Sequence, residues 1–116
     1  MKIHVTVFEA ELEGVKWAQV TARVGRSCAG TATVFWLGME GRAPELCNLF
    51  VLESARRKGV ATAMIKSVRQ FLPRPTCLNV LRESPAYWLY RKLGFLEVGT
   101  VKEKEGFMWM MDYGQH

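Results

Sequence analysis

The stretch Leu46-Cys47-Asn48-Leu49-Phe50-Val51-Leu52-Glu53-Ser54-Ala55-Arg56-Arg57-Lys58-Gly59-Val60-Ala61-Thr62-Ala63-Met64-Ile65 sets an apolar strand, a basic glycine-bearing turn and an amphipathic helix in immediate succession. A turn running from Arg56 to Ala61 presents successive backbone N–H groups at a helix N-terminus, with cationic side chains around them and a glycine where a Cβ would obstruct. Such a turn is a phosphate cradle. Three kinds of cradle compete for it. A nucleotide P-loop needs Gly-x-x-x-x-Gly-Lys-Ser/Thr, and no Gly-Lys-Ser/Thr follows Gly59. A dinucleotide-binding turn needs Gly-x-Gly-x-x-Gly, and this turn holds a single glycine. What remains is Arg-x-x-Gly-x-Ala.

A second block follows about thirty residues on, Ala86-Tyr87-Trp88-Leu89-Tyr90-Arg91-Lys92-Leu93-Gly94-Phe95. The first block resembles the pyrophosphate-binding motif of the GNAT superfamily of N-acetyltransferases. The second resembles the Ala-x-x-Leu-Tyr-x-x-x-Gly-Phe signature of the same superfamily, in the same order and at the expected distance. The resemblance covers roughly Glu45 to Tyr113, while the segment before Glu45 carries no family motif and is shorter than usual. It implies a GNAT-like α/β (α+β) fold, acetyl-CoA as acyl donor, and an acceptor bearing an amine, either a small molecule or an exposed protein amine. No metal is implied.

At 116 residues the chain makes one domain, 1–116, long enough to bury about two-thirds of its unfolded surface. Hydrophobic residues make up 49% of it and no low-complexity run or internal repeat is visible, which argues for a compact globular protein. The N-terminus enters directly into an alternating segment, with neither an apolar leader region nor eighteen consecutive apolar residues, so a cytoplasmic protein without membrane attachment is expected. Cys28, Cys47 and Cys77 are odd in number and widely spaced, and read as buried reduced thiols. A catalytic cysteine would need an orienting histidine, and the two histidines, His4 and His116, stand near the chain ends. His4 is expected on the polar or partner face of the first strand. The formal charge of +5 raises the question of nucleic acid, but the basic clusters Arg56-Arg57-Lys58 and Arg91-Lys92 both belong to the two blocks, so a polyphosphate cofactor accounts for them more simply.

Alternation predicts a first strand around Ile3, Val5 and Val7, a second with Ala18, Val20, Ala22 and Val24 on one side of it, and a third around Ala32, Val34 and Trp36. Gly25 and Gly30 are the turn candidates of this antiparallel meander. Leu46 to Leu52 is nearly continuous in apolar character, as expected of a central strand covered on both faces. Val60, Ala61, Met64, Ile65, Val68, Phe71 and Leu72 recur at helical spacing with Lys66, Arg69 and Gln70 on the far side, and Pro73 and Pro75 stop that helix. Cys77 to Leu81 reads as a strand. Ser84 as N-cap, Pro85 at the first position and Gly94 past the end bracket a second helix. Phe95 to Val101 and Phe107 to Tyr113 close the order β-β-β-β-α-β-α-β-β, a mostly antiparallel twisted sheet of about seven strands. Where family members insert one or two helices after the first strand, only Glu9 to Gly14 is available here.

Acetyl transfer from a thioester to an amine needs a held cofactor, an uncharged amine, stabilisation of the oxyanion and a proton for the departing thiolate. Arg56 and the backbone of Arg57, Lys58, Gly59, Val60 and Ala61 would meet the pyrophosphate, with Thr62 supplying a hydroxyl. A plain strand-to-helix turn with solvated arginines is the alternative. The resemblance implies that Leu49, Phe50 and Val51 hold the pantetheine through their main chain, and that an N–H near Leu49 or Phe50 meets the oxyanion. It further implies Tyr90 as proton donor to the thiolate. A phenol of pKa ~10 is protonated at neutral pH and can serve; a core tyrosine on an amphipathic helix is the competing reading. Glu45, eleven residues before Arg56 at the offset where family members carry a glutamate base, is the candidate to deprotonate the amine, against a solvated acid after Pro44. Glu53 reads as a surface residue. Glu83 stands where relatives carry an asparagine that touches the cofactor, and its charge does not suit an anion. Trp17, Trp36 and Trp109 offer aromatic surface that a homodimer or the core would use. Two rivals remain: a cofactor-binding or interaction module that has lost acceptor chemistry, and a basic nucleic-acid-binding domain.

Overall fold

Two-residue turns set the first half of the sheet. Glu13 and Gly14 both take left-handed backbone (φ 50° and 83°), joining Leu12 to its partner Val15, and Gly25 (φ 62°) begins the turn joining Val24 to Ser27. Paired positive φ values match the right-handed twist of the flanking strands, which is why such turns make tight hairpins. The strands they join are β1 (Ile3–Leu12), β2 (Val15–Val24) and β3 (Ser27–Leu37). The hairpin at Glu13 stands where family members were expected to carry helices. The structure is a computed structural model that describes residues 2–37, 43–72 and 75–113, so the expectations for Pro73 and His116 lie outside the described residues.

After these come β4 (Glu45–Val51), a single 3₁₀ turn (Glu53–Ala55), α1 (Val60–Phe71), β5 (Thr76–Leu81), α2 (Pro85–Lys92), β6 (Leu96–Thr100) and β7 (Phe107–Asp112). The expected order of elements is the order observed. One seven-stranded sheet runs β1-β2-β3-β4-β5-β7-β6, antiparallel throughout except between β4 and β5.

Core and helices share one face. Val20, Ala22, Ala29, Ala32, Val34, Leu46, Leu78, Val80 and Met110 from the strands pack with Val60, Met64, Ile65 and Val68 of α1, with Tyr87 and Tyr90 of α2, and with Phe95. Ala22, Ala29 and Ala32 let α1 lie close to the sheet, and Met64 and Ile65 are 0% and 2% exposed there. Trp36 belongs to this side, edge-on to Phe71 with ring centroids 5.7 Å apart, and so is removed from the aromatic surface proposed for a partner. Gly30 is no turn. It lies inside β3, where an added Cβ would stand 2.8 Å from the Phe50 carbonyl oxygen and 3.3 Å from Val60, so its missing side chain lets β4 and the start of α1 close over β3.

Two further expectations are corrected. β4 is not covered on both faces: Leu46 is 5% exposed on the core side, but Phe50 is 51% exposed on the other. Apolar character ran continuously because a bulge shifts the alternation. Thr33 pairs with Cys47 and Thr31 with Phe50, so Asn48 and Leu49 together oppose one residue, Ala32, and Asn48 takes φ 54°. The extra residue returns Leu49 and Val51 to the core side. Arg69, expected on the polar face of its helix, reaches inward instead. Its Nε donates to Asp112 at 2.8 Å and its Nη2 donates to the Leu93 carbonyl, tying α1 to β7 and to the end of α2. Helical spacing reports only which side of a helix a residue leaves from, and a long side chain can turn back to a distant carboxylate.

Asp112 is 3% exposed and Arg69 15%, so the pair is largely withdrawn from water. Removing one partner of such a pair leaves the other charge desolvated and unmatched. Asp112→Asn is expected to lower the free energy of unfolding in urea by about 3–5 kcal/mol, and the apolar double replacement Arg69→Met/Asp112→Leu to recover most of that loss.

Candidate functional site

β4 and β5 part company almost as soon as they meet. Among the described residues their pairing is the single bridge Glu45 to Cys77, with the Cys77 N–H donating to the Pro44 carbonyl at 2.8 Å. β5 stays paired to β7 along its whole length, from Thr76 opposite Asp112 to Leu81 opposite Phe107, while β4 stays with β3. The sheet therefore opens into a V, and from Leu46 to Val51 the edge of β4 that faces β5 has no strand against it. An unpaired edge of this kind offers main-chain donors and acceptors to an extended, amide-bearing guest.

That edge runs into the basic turn. Leu52 N–H still donates to the Ala29 carbonyl at 2.9 Å, the 3₁₀ turn buries Ala55, and the chain then reverses through Arg57 (φ 64°) and Gly59 (φ 82°). Left-handed residues in such a reversal turn successive N–H groups toward one concavity. Gly59 is the N-cap of α1 and contributes no side-chain cap. Among the described residues the N–H groups of Arg57, Lys58, Gly59, Val60, Ala61 and Thr62 have no main-chain acceptor, the first to find one being Ala63, which donates to Gly59 at 2.9 Å. Six consecutive donors, at the positive end of a helix dipole and beside three cations, form a ready anion site. Arg56 is partly engaged: its Nε donates to the Val51 carbonyl at 3.0 Å, which fixes the guanidinium at the junction between the open edge and the turn. Arg91, also expected to face a cofactor, donates instead to the Tyr87 hydroxyl at 3.3 Å, which in turn donates to Glu97 at 3.3 Å.

The second sequence block has a structural cause. Phe95 N–H donates to the Tyr90 carbonyl at 2.9 Å and Gly94 N–H to the Arg91 carbonyl at 3.1 Å, with Gly94 at φ 104°; this is the Schellman closure of a helix. Its usual apolar clasp is present as well, the Tyr90 and Phe95 rings meeting edge-on at 5.5 Å. The spacing of Tyr90, Gly94 and Phe95 thus ends α2 and anchors the Tyr90 ring in the core. At the other end of α2 the Ser84 hydroxyl accepts from Ala86 N–H at 3.2 Å, with Pro85 at the first helical position. Glu83 is exposed in the turn before it.

Around the bridge that closes the V, four polar side chains gather. Cys47 Sγ lies 3.6 Å from Glu45 Oε2, and Asn79 of β5 approaches the same oxygen with its amide nitrogen at 3.4 Å. Burial, the Glu45 carboxylate beside it and nearby Cys77 push the Cys47 thiol up to about 11. Tyr90 is 9% exposed, and burial together with the neighbouring Cys47 pushes its phenol up to about 12. No buried side-chain oxygen or nitrogen of the described residues is left without a partner, and the Tyr90 hydroxyl makes no hydrogen bond among them, so its oxygen retains some contact with solvent. Glu45 and Tyr90 are therefore both drawn toward Cys47. Asn79 and Cys47 were not singled out for this site from the sequence; only the pairing of β4 with β5 brings them together.

No described residue covers the face of the sheet away from the helices. A shallow groove of about 530 Å³, lined by Leu12, Glu13, Val15, Trp17, Gln19, Thr33 and Phe35, runs over β1–β3 on that face. It abuts the gathered side chains, since Phe35 pairs with Glu45 and Thr33 with Cys47. His4 is exposed on the same side, as expected. Among the described residues no three side chains form a metal-binding cluster, and no helix is long and apolar enough to cross a membrane.

The architecture is shared with solved proteins. An N-acetyltransferase from Thermoplasma acidophilum in complex with coenzyme A superposes with a TM-score of 0.72 at 16% identity, over 84% of this chain and 60% of that one. An aminoglycoside 6′-N-acetyltransferase complexed with coenzyme A gives 0.69 at 17%, over 86% and 74%. ElaA of Escherichia coli gives 0.66 at 16%, over 82% and 67%. The chain thus spans about 60% of the length of the first of these. No curated protein matches it by sequence. A family model described as an acetyltransferase (GNAT) domain matches residues 6–97, which takes in both hairpins, the parted strands, the basic turn and the capped helix, and by that match the chain belongs to the GNAT family.

Proposed function

We propose that this protein is an acetyl-CoA-dependent N-acetyltransferase that moves an acetyl group from the coenzyme A thioester to a primary amine. The observation that carries the reading is the continuity of the unpaired β4 edge with six unpartnered N–H groups at Arg57 to Thr62. An amide-bearing arm that ends in a pyrophosphate needs these two features in this order. Leu49, Phe50 and Val51 hold the pantetheine amides by their main chain. Arg56, Arg57, Lys58, Gly59, Val60 and Ala61 receive the pyrophosphate, and Thr62 adds its hydroxyl.

The chemistry follows from the residues at the mouth of the V. An alkylammonium of pKa ~10.4 must lose a proton before its nitrogen can attack, and Glu45 takes it. The nitrogen lone pair adds to the thioester carbonyl, whose oxygen meets a backbone N–H near Leu49 or Phe50. The C–S bond then breaks, and Tyr90 gives its phenolic proton to the leaving sulfur. The nitrogen, cationic after attack, gives up its second proton, which restores the tyrosine, and the proton taken by Glu45 passes to water, so that ammonium and thioester become amide, free thiol and one released proton. Cys47 takes no covalent part in this reading: with its thiol held near 11, little thiolate exists at neutral pH.

The acceptor side is the uncovered face, and its openness suits an exposed lysine or N-terminal amine of a macromolecule. Phe8 and Leu12, 70% and 63% exposed on that face, favour a second reading in which two copies of the chain meet there and close the acceptor side between them. Light scattering at high concentration distinguishes the two: a dimer that Leu12→Arg dissociates supports the second, and a monomer throughout removes it. No disulfide joins the cysteines, of which Cys28 is exposed and Cys47 and Cys77 half-buried where buried thiols were expected; reduced thiols fit a reducing compartment, and on that ground the cytoplasm is the location we propose.

Calorimetric titration tests the cofactor. Acetyl-CoA is expected to bind the native chain, and the double variant Arg56→Glu/Gly59→Asp to abolish that binding. Binding without turnover of any amine in a broad panel would leave a cofactor-binding module in place of an enzyme. No binding at all would overturn the reading.

Tyr90→Phe is expected to lower kcat by about 10²-fold or more while leaving acetyl-CoA affinity unchanged. The sign of the pH effect is set by burial. A phenol raised to about 12 keeps its proton, so the donor form persists through the neutral and moderately alkaline range. Any alkaline fall in kcat below about pH 11 should therefore survive in the Phe variant, because Tyr90 is not its source.

A further inference from the structure

Glu45 is held on one oxygen only. Its Oε2 receives the Asn79 amide nitrogen at 3.4 Å and lies 3.6 Å from the Cys47 sulfur, whose S–H it accepts. Among the described residues nothing bonds Oε1. Asn79 is itself oriented. Its carbonyl oxygen accepts from Lys104 Nζ at 3.3 Å, and the Lys104 ammonium also sits over the Phe107 ring, 4.1 Å from its centroid. An ammonium has only donors, so it selects the amide rotamer in which oxygen faces Lys104 and the NH₂ group faces the carboxylate. A hydrogen-bond relay therefore crosses the V at its closed end, from the β6–β7 turn through β5 to β4.

We propose that Asn79 is a positioning residue for acetyl transfer: clamped by Lys104, it pins Oε2 of Glu45 and presents Oε1 to the acceptor ammonium. The inference rests on the reading of Glu45 as the proton acceptor and adds the device that aims it. The remaining groups about Glu45 are Cys47 on its own strand, Cys77 on β5 and Tyr90 of α2 beyond Cys47; burial holds the Cys47 thiol up at about 11 and the Tyr90 phenol up at about 12, and Phe35, its partner on β3, carries no charge. Asn79 is thus the single polar contact from another strand to Glu45 among the described residues.

The test is a carbon-13 NMR titration of the Glu45 side-chain carboxyl, its signal assigned by its loss in Glu45→Gln. Asn79→Asp substitutes a like charge for the amide donor and turns Lys104 toward itself. The Glu45 titration midpoint is expected to rise by about one unit or more. Asn79→Leu, which only removes the donor, should raise it by less, and Lys104→Met, which frees the amide to rotate, should fall between Leu and the native chain. Acetyl-CoA affinity and thermal midpoint close to native values show that the fold is kept. Where an amine is turned over, the acidic limb of kcat/KM should move to higher pH by the same amount in each variant. An unmoved Glu45 midpoint in both Asn79 variants would overturn the inference. Failure of the underlying reading shows separately, as undiminished turnover by Glu45→Gln.

Discussion

The parting of β4 from β5 after a single bridge is the constraint on which the rest depends. Two parallel neighbours in a sheet would ordinarily share hydrogen bonds along their length, and abandoning them leaves buried or half-buried main-chain groups in need of partners. The cost is tolerable here because each strand is held on its other side, β4 by β3 and β5 by β7. What opens between them is a cleft whose walls are main chain and whose floor is the packed core. The Tyr90 ring, fixed by the helix closure against Phe95, fills part of that floor.

Several local features serve the same opening. The bulge at Asn48 keeps Leu46, Leu49 and Val51 in the core while turning Phe50 outward, so β4 can bend away without withdrawing its apolar side chains. Gly30 lets the Phe50 carbonyl and the first turn of α1 approach β3. Gly59 and Arg57 reverse the chain so that the helix begins where the edge ends. The pair Arg69–Asp112 holds α1 to β7 across the core, which keeps the two halves of the split sheet in a fixed relation.

The reduced N-terminal region has an equally physical consequence. A two-residue hairpin at Glu13 and Gly14 covers nothing, so the face of β1–β3 that carries Phe8, Leu12 and Phe35 remains open beside Glu45. Under the proposed function this is the side from which the acceptor arrives. Under the same proposal the relay of Lys104, Asn79 and Glu45 stands at the base of that side and aims the group that takes the amine's proton.

Local chemistry made much of this protein legible from its sequence alone. Turn residues, period-two alternation, the Ser84-Pro85 start and Gly94 end of α2, and the glycine of the basic turn each act within a few residues, so the order of elements and the reversal ahead of α1 could be read directly. Three features could not. The depth of Arg69 depends on a carboxylate 43 positions away. The bulge at Asn48 looked like unbroken burial because its extra residue hid the alternation. The meeting of Asn79 with Glu45 arises from the register of two strands that touch at one bridge, 34 positions apart in the chain. Sequence patterns record which face a residue leaves from and how the chain turns; which distant side chains then meet is decided by strand register and by where a sheet splits, and those follow from the packing of the whole core.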